Sequence, residues 1–315
     1  MEISVIVPIY NDGYLAEDFC RSLENTFSSF LNHEGNSEFL ELIFVNDGSL
    51  NNSWEELLHV ARKFSFVKLI NLSRNFGQHI ALSCGYKNAK GNYVAMINVD
   101  MQEPTSELLH LYTHVKNTDL GVVYGLVDFR RTSFVNRITS KAFNSLMGFL
   151  TREKVPSNIA TVRIMSRKFI DAYNELTEKT RYLPGLENWL GFKKDFIKVE
   201  HGARKMGKSS YNTRKRLEMA METIISFSDF PLRMIVLFGS LVAFVGIGLS
   251  FYIVITKLFF IDYQAGYATT VALITSIGGV QLVVIGIASM YIGRILKEVQ
   301  NRPLYVISNK VNFNE

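Results

Sequence analysis

An apolar run, a polar turn and a helical pattern follow one another four times in the N-terminal part of the chain, and this recurrence limits the fold more than any other feature. Ile3 to Pro8 is the first run; Ile9-Tyr10-Asn11-Asp12-Gly13 supplies turn chemistry, and a helical pattern begins near Leu15. Leu40 to Val45 ends in Asn46-Asp47-Gly48-Ser49 and leads into a helix carrying Trp54, Leu57 and Leu58. Val67 to Leu72 ends in Ser73-Arg74-Asn75-Phe76-Gly77 before the helical Ile80 to Asn88. The fourth unit is Val94-Ala95-Met96-Ile97-Asn98-Val99-Asp100-Met101-Gln102-Glu103-Pro104, and a fifth strand is expected from Gly121 to Val127. Continuous apolar runs indicate strands covered on both faces, and their alternation with helices indicates right-handed crossovers in a mostly parallel α/β sheet. Such sheets bind ligands beyond the carboxyl ends of their strands. Asp12, Asp47, Arg74 and Asp100 all fall there.

The fourth turn carries the densest chemistry. If the chain stays extended, Asn98, Asp100 and Gln102 point to one side, because side chains alternate along a strand. Three oxygen donors on one face suit a hard divalent cation, Mg²⁺ or Mn²⁺, completed by phosphate oxygens of a ligand. A strand followed by an ordinary polar turn is the alternative reading.

The 315 residues are 48% hydrophobic with a formal net charge of +5, enough for one large domain and an appendage, but the apolar residues are unevenly spread. Met234 to Thr256 and Thr269 to Gly293 contain no charged residue, and each reaches the roughly 20 residues needed to cross a bilayer. Two transmembrane helices are expected, a buried hairpin being the alternative. Arg204, Lys205, Lys208, Arg214, Lys215, Arg216 and Arg233 precede the first run, and Arg294, Lys297, Arg302 and Lys310 follow the second. The connecting loop offers only Lys257 against Asp262, so both ends are expected on the cytoplasmic face. Glu2 to Pro8 lacks the basic start of a signal peptide. Arg214 to Phe230 has Leu217, Met221, Ile224, Ile225 and Phe227 at helical spacing and reads as an interfacial helix. Ala272, Gly279, Gly286 and Gly293 form a small-residue stripe suited to packing against the first span or a neighbouring subunit, which would make the protein a homo-oligomer. The positive balance near the spans points to a membrane surface or phosphate ligands and not to nucleic acid. Cys20 and Cys84 have no metal spacing and are expected to be reduced packing residues; His79, His110 and His201 show none either and are expected at surface or packing positions.

Val7-Pro8-Ile9-Tyr10-Asn11-Asp12, Val45-Asn46-Asp47-Gly48-Ser49, Leu72-Ser73-Arg74-Asn75-Phe76-Gly77 and Asp100-Met101-Gln102-Glu103-Pro104 occur in the order found in family 2 glycosyltransferases. With Arg204-Lys205-Met206-Gly207-Lys208-Ser209-Ser210-Tyr211 and the paired C-terminal runs, nearly the whole chain resembles the polyisoprenyl-phosphate glycosyltransferases of that family, such as dolichol-phosphate mannose synthase and bacterial undecaprenyl-phosphate sugar transferases. The resemblance implies an α/β fold with a GT-A-like nucleotide-sugar-binding domain over residues 1–211, an amphipathic juxtamembrane helix over 212–232, membrane helices over 233–256 and 269–293 joined by an external loop, and a cytoplasmic tail over 294–315. It implies a multi-pass protein of the plasma (cell inner) membrane, with the catalytic domain and both termini cytoplasmic.

Carried over residue by residue, the resemblance makes Pro8, Tyr10, Asp12, Asp47 and Asn98 nucleotide-binding, Asp100 and Arg204 catalytic, and Asp100 with Gln102 the metal ligands. Arg130, Arg131, Arg163, Ser209 and Tyr211 become the acceptor and phosphate contacts. Asp12 and Asp47 suit helix caps equally well, and the arginines suit solvent or lipid headgroups. Two positions depart from the family. Asn98 stands where an Asp-x-Asp motif has its first carboxylate, which lowers the expected cation affinity. Thr161, in Ala160-Thr161-Val162-Arg163, stands where relatives carry an acid. A sugar hydroxyl acceptor needs a base, whereas a lipid monophosphate, with a second pKa of about 6, is already largely ionised at neutral pH. The expected reaction is therefore inverting transfer from a nucleotide sugar, UDP-linked first and GDP-linked second, to a polyprenyl phosphate for cell-surface glycan modification. Transfer to a sugar hydroxyl, and a nucleotide-binding membrane scaffold with weak catalysis, are the alternatives.

Overall fold

The computed structural model describes residues 1–31, 39–127, 156, 158–179, 181, 183–202 and 266–313, together with residues 234, 237–241, 244, 245, 248, 251, 252, 255 and 259. Its elements in chain order are β1 (Ile3–Ile9), α1 (Ala16–Leu31), β2 (Leu40–Asn46), α2 (Ser53–Lys63), β3 (Val67–Leu72), α3 (Gln78–Asn88), β4 (Tyr93–Met96), α4 (Ser106–Lys116) and β5 (Val122–Leu126). They continue with β6 (Ile159–Ser166), α5 (Arg167–Glu175), α6 (Leu183–Trp189), β7 (Lys194–Lys198), α7 (Tyr267–Val299) and β8 (Ile307–Val311).

The eight strands among the described residues form one sheet in the order β7-β5-β6-β4-β1-β2-β3-β8. β1 lies between β2 and β4, parallel to both, and β2 is parallel to β3. This is the four-unit parallel half expected from the recurrence. The other half differs: β6 runs antiparallel between β4 and β5, so the fifth strand is not a neighbour of the fourth.

Alternation along the strands divides the sheet into two buried faces. Val5, Val7, Leu42, Phe44, Leu69, Ala95 and Ile97 join Phe19, Leu23, Phe27, Leu57, Leu108 and Leu111 of α1, α2 and α4 in one apolar core. Fully burying each large side chain contributes on the order of 2 kcal/mol. α3 covers the opposite face, where a Cβ on Gly85 would come within 2.3 Å of Ile6. Glycine there lets helix and sheet approach closely enough to bring the start of α3 beside the strand ends. Cys20 and Cys84 are buried and unbridged, as expected for packing residues.

The C-terminus corrects the expectation of a tail. Ile307–Val311 adds to β3 as an antiparallel strand, and Pro303–Glu315 belongs to the same compact unit as the sheet. Ser73 N–H donates to Val306 O at 2.9 Å, Lys310 Nζ to Asn88 Oδ1 at 2.7 Å, and Asn312 Nδ2 to Val67 O at 2.9 Å. The physical reason is that β3 would otherwise end the sheet with an open row of amides and carbonyls.

A second compact unit comprises Leu146–Glu153 and Tyr211–Arg302. Its α7 is one continuous helix of 33 residues. Within it Ile277–Val299 is the single helix, among the described residues, long and apolar enough to cross a membrane, with a mean hydropathy of 1.7 and none of its apolar window buried. This segment ends six residues beyond the expected boundary at Gly293 and takes in Arg294 and Lys297. In the first apolar run, Met234, Leu237–Leu241, Phe244, Val245, Gly248, Phe251, Tyr252 and Ile255 are helical, and a complete second span is not shown. A Cβ on Gly279, Gly286 or Gly293 would meet nothing within 4 Å, so no described residue packs on the glycine stripe. The expected interfacial helix over 212–232 lies outside the described residues.

Candidate active site

The turns at the carboxyl ends of β1, β2 and β3 are tied to one another by side-chain to backbone bonds. Asn11 adopts φ +65°, a left-handed conformation that asparagine tolerates, and its N–H donates to Ser49 Oγ at 2.9 Å. Its Oδ1 accepts from Leu50 N–H at 2.9 Å, and its carbonyl accepts from Asn51 Nδ2 at 2.9 Å. Asn46 Nδ2 reaches Asn71 Oδ1 at 2.8 Å. Gly48, at φ +62°, lies against the next turn so closely that a Cβ would come within 2.3 Å of the Arg74 backbone.

Asp47 sits at the centre of this rim and is 3% exposed. Its Oδ1 accepts from Phe76 N–H at 2.7 Å and its Oδ2 from Gly77 N–H at 2.9 Å. Burial raises its pKa above the ordinary value, against the opposing pull of these two amides. Through these two bonds it holds the β3–α3 turn. Pro8 is half-buried, Tyr10 is 43% exposed, and Asp12 is exposed. The Asp12 side chain does not cap the short 3₁₀ turn Gly13–Leu15. Ser53 Oγ accepts the Gly13 N–H instead, at 3.0 Å. Arg74 is exposed, with its guanidinium 4.4 Å from the centre of the Phe76 ring.

The fourth turn differs from its expected geometry. β4 ends at Met96, Val99 and Asp100 form a turn, and Met101 takes φ +49°. A left-handed residue breaks strand alternation, so the premise that put Asn98, Asp100 and Gln102 on one side of an extended chain fails. Asp100 is half-buried and its Oδ1 accepts from Gln102 N–H at 3.4 Å. Asn98 Oδ1 accepts from Gln78 Nε2, in the first turn of α3, at 3.2 Å. Glu103 is 2% exposed, and its Oε1 lies 3.2 Å from His201 Nδ1. Burial raises the Glu103 pKa, His201 opposes that, and the negative charge of Asp100 adds to it.

Among the described residues no three His, Cys, Asp or Glu side chains converge on a metal site. One carboxylate, Asp100, flanked in sequence by the amide oxygens of Asn98 and Gln102, suits a cation completed by diphosphate oxygens better than one caged by protein alone.

On the other half of the sheet, Arg163 is 8% exposed. Its Nη1 donates to Glu187 Oε1 at 2.9 Å and Oε2 at 2.7 Å, and Tyr124 Oη donates to Glu187 Oε2 at 3.0 Å. Burial opposes the charge on Arg163, but Glu187 outweighs it and holds the guanidinium protonated. The structure therefore places Arg163 in a buried ion pair, where its expected meeting with an acceptor phosphate would leave Glu187 uncompensated. Thr161 lies on β6 and is half-buried. Arg130, Arg131, Arg204, Ser209 and Tyr211 lie outside the described residues. The residues that sequence reasoning passed over are Asn11, Ser49 and Gln78, which shape the rim, and the buried carboxylates Glu103, which meets the exposed His201, and Glu187, which meets Arg163. Glu103, beside Asp100 and Gln102, carried a signal in its position; the others acquire meaning only from contacts distant in sequence.

A sheet whose rim presents one half-buried carboxylate at β4 beside the amino end of α3 can receive a diphosphate. Residues 4–173 match the family model described as glycosyl transferase family 2. The chain belongs to glycosyl transferase family 2. This family member is 33% identical over 311 residues to an uncharacterised glycosyltransferase of Synechocystis, covering 98% of this chain and 95% of the relative. It is 31% identical over 314 residues to the bactoprenol glucosyl transferase of Shigella phage SfII, covering 100% of both. Glucosyl-3-phosphoglycerate synthase of Mycobacterium tuberculosis, crystallised with Mn²⁺, UDP and phosphoglyceric acid, shares its fold at a TM-score of 0.51 and 16% identity, over 71% of this chain and 76% of that one. The protein is thus a glycosyltransferase with a GT-A-like α/β sheet domain.

Proposed function

We propose that this glycosyltransferase transfers a sugar, with inversion, from a nucleotide sugar to a polyprenyl phosphate at the cytoplasmic face of the plasma membrane. UDP is the favoured nucleotide and GDP the second. The observation that carries the reading is the end-to-end match to a bactoprenol glucosyl transferase, which spans the apolar C-terminal helix as well as the sheet domain.

The site's chemistry supports the same reading. Pro8, Tyr10 and Asp12 would meet the nucleoside, with Asp47 holding the β3–α3 turn in place behind them. Asp100, beside Asn98 and Gln102, would face the diphosphate. When bound there, Mg²⁺ or Mn²⁺ would neutralise charge on the departing nucleoside diphosphate. The acceptor oxygen of a lipid monophosphate attacks the anomeric carbon while the bond to the diphosphate breaks. That oxygen is already ionised, so the absence of an acid at Thr161 costs the reaction no base. Arg204, Ser209 and Tyr211, with Arg130 and Arg131, remain the proposed contacts for the two anions.

Connectivity supports the proposed membrane placement. The chain leaves the sheet unit at Ser210 and re-enters it at Pro303 to lay down β8. A segment whose two ends return to one folded unit crosses a bilayer an even number of times, which favours Met234–Thr256 as a second span beside α7. Basic residues flanking both apolar runs favour the cytoplasmic side. Incubating membranes that contain the protein with labelled nucleotide sugars and undecaprenyl phosphate should yield a labelled glycolipid. No product with any common donor, while a relative assayed in parallel is active, would sink the proposal.

A further inference from the structure

Glu103 is a buried carboxylate that the proposed reaction does not use. It follows the Asp100–Gln102 turn directly, and it lies at the meeting point of three segments far apart in sequence. The Thr161 backbone N–H, near the start of β6, is close enough to its carboxylate to favour the ionised form. Its Oε1 lies 3.2 Å from His201 Nδ1. One residue on, Gly202 N–H donates to Gln102 O at 2.7 Å. The turn so gripped contains Met101 at φ +49°, a conformation that persists only when the surroundings impose it.

We propose that Glu103 is a positioning residue, which with His201 clamps the Asp100–Gln102 turn between β6 and the Glu200–Gly202 segment and so sets how Asp100 meets a nucleoside diphosphate. A wholly structural carboxylate would be indifferent to which side of the turn it braces. Glu103 instead joins the residue that replaces the family's acid, Thr161, to the stretch that runs on toward Arg204. It touches no reacting atom in this account, so its influence passes through Asp100. The inference rests on the donor-site reading given above, and its test separates the two.

The full-length protein and its E103A, E103Q, H201Q and E103A/H201Q variants are compared after thermal melting has confirmed that each folds. Hydrogen exchange needs no ligand: E103A should speed exchange at the Thr161 and Gly202 amides at least tenfold, with E103Q, which keeps an acceptor oxygen, in between. Calorimetry with UDP, with and without Mn²⁺, reads the effect on Asp100. E103A should lose at least fivefold of the Mn²⁺-dependent tightening while binding UDP alone as the wild type does. H201Q should move in the same direction by less, and the double variant should match E103A, because both side chains act as one clamp. Unchanged exchange at both amides, undiminished Mn²⁺-dependent tightening, or additive losses in the double variant would overturn the clamp. Wild-type binding of UDP and Mn²⁺ without lipid product would sink the proposed acceptor and leave the clamp standing. A wild type that binds neither UDP nor GDP would overturn both.

Discussion

Asp47 and Asp100 both follow buried parallel strands, and both lie in turns whose order matches the family, yet their surroundings differ. Asp47 is 3% exposed with both oxygens bonded to backbone amides of the next turn. Asp100 is half-buried, with Oδ1 turned to an amide of its own turn at the long distance of 3.4 Å. A carboxylate that satisfies distant backbone donors is committed to architecture, because moving it would leave those donors buried and unmet. A half-buried carboxylate at a strand end lies instead where solvent and a ligand can reach it, which is the place proposed for Asp100. A strand-end aspartate is therefore not in itself a binding residue; the fold decides which of the two it becomes.

The sharpest test of that contrast replaces the carboxylate assigned to chemistry. Asp100→Ala should reduce turnover about a thousandfold, equivalent to about 4 kcal/mol of barrier, while the melting free energy changes by less than about 0.5 kcal/mol. Initial rates and thermal melts on the same preparation check it, and wild-type turnover would remove the centre of the site. Asp47 should behave in the reverse sense. Asp47→Ala should destabilise the sheet domain by about 2–3 kcal/mol in urea unfolding, since two inward-facing amides lose their acceptor. Asp47→Asn, which keeps one oxygen, should lose about half of that.

Acid titration probes the α3 side of the same contrast. Burial lowers the His79 pKa to about 4 from 6.5. Between those pH values the unfolded chain binds the proton and the folded chain does not, so stability falls as the pH drops from 6.5 toward 4. Asp47, whose folded pKa is raised, works in the opposite direction over the carboxylate range. His79→Gln should flatten the loss, by at most about 2 kcal/mol after allowance for the partial exposure of the ring. Stability curves of wild type and variant that stay parallel across this range would contradict it. The smallest effect concerns the departure at residue 98. Asn98→Asp keeps an acceptor for Gln78 and adds a charge, so Mn²⁺ affinity in the presence of UDP should rise about tenfold, or about 1.4 kcal/mol. An unchanged or weaker affinity would mean that residue 98 does not face the cation.

Much of the parallel half of the sheet was legible in the chain itself, because an apolar run ended by Asn, Asp, Gly or Ser reports a buried strand and its turn locally. The site was legible in outline for the same reason: Asp12, Asp47, Arg74 and Asp100 follow strands that end at one edge of the sheet. Its detail was not. The strand alternation expected through Gln102 failed at Met101, whose left-handed backbone has no signature in a methionine. Arg163 read as a phosphate contact because its partner, Glu187, is 24 residues away and unmarked by any motif.

The sequence alone determined the succession of strands and helices, the apolar C-terminal helix and the family, all of which rest on local pattern and order. Tertiary structure decided that Asp47 bonds to the β3–α3 turn, that Arg163 pairs with Glu187, and that Ile307–Val311 is a strand of the sheet domain. Each of those is a pairing across long stretches of chain. A hydrogen bond, an ion pair or a strand ladder depends on which distant group arrives to satisfy it, and residue type at one position does not encode that arrival.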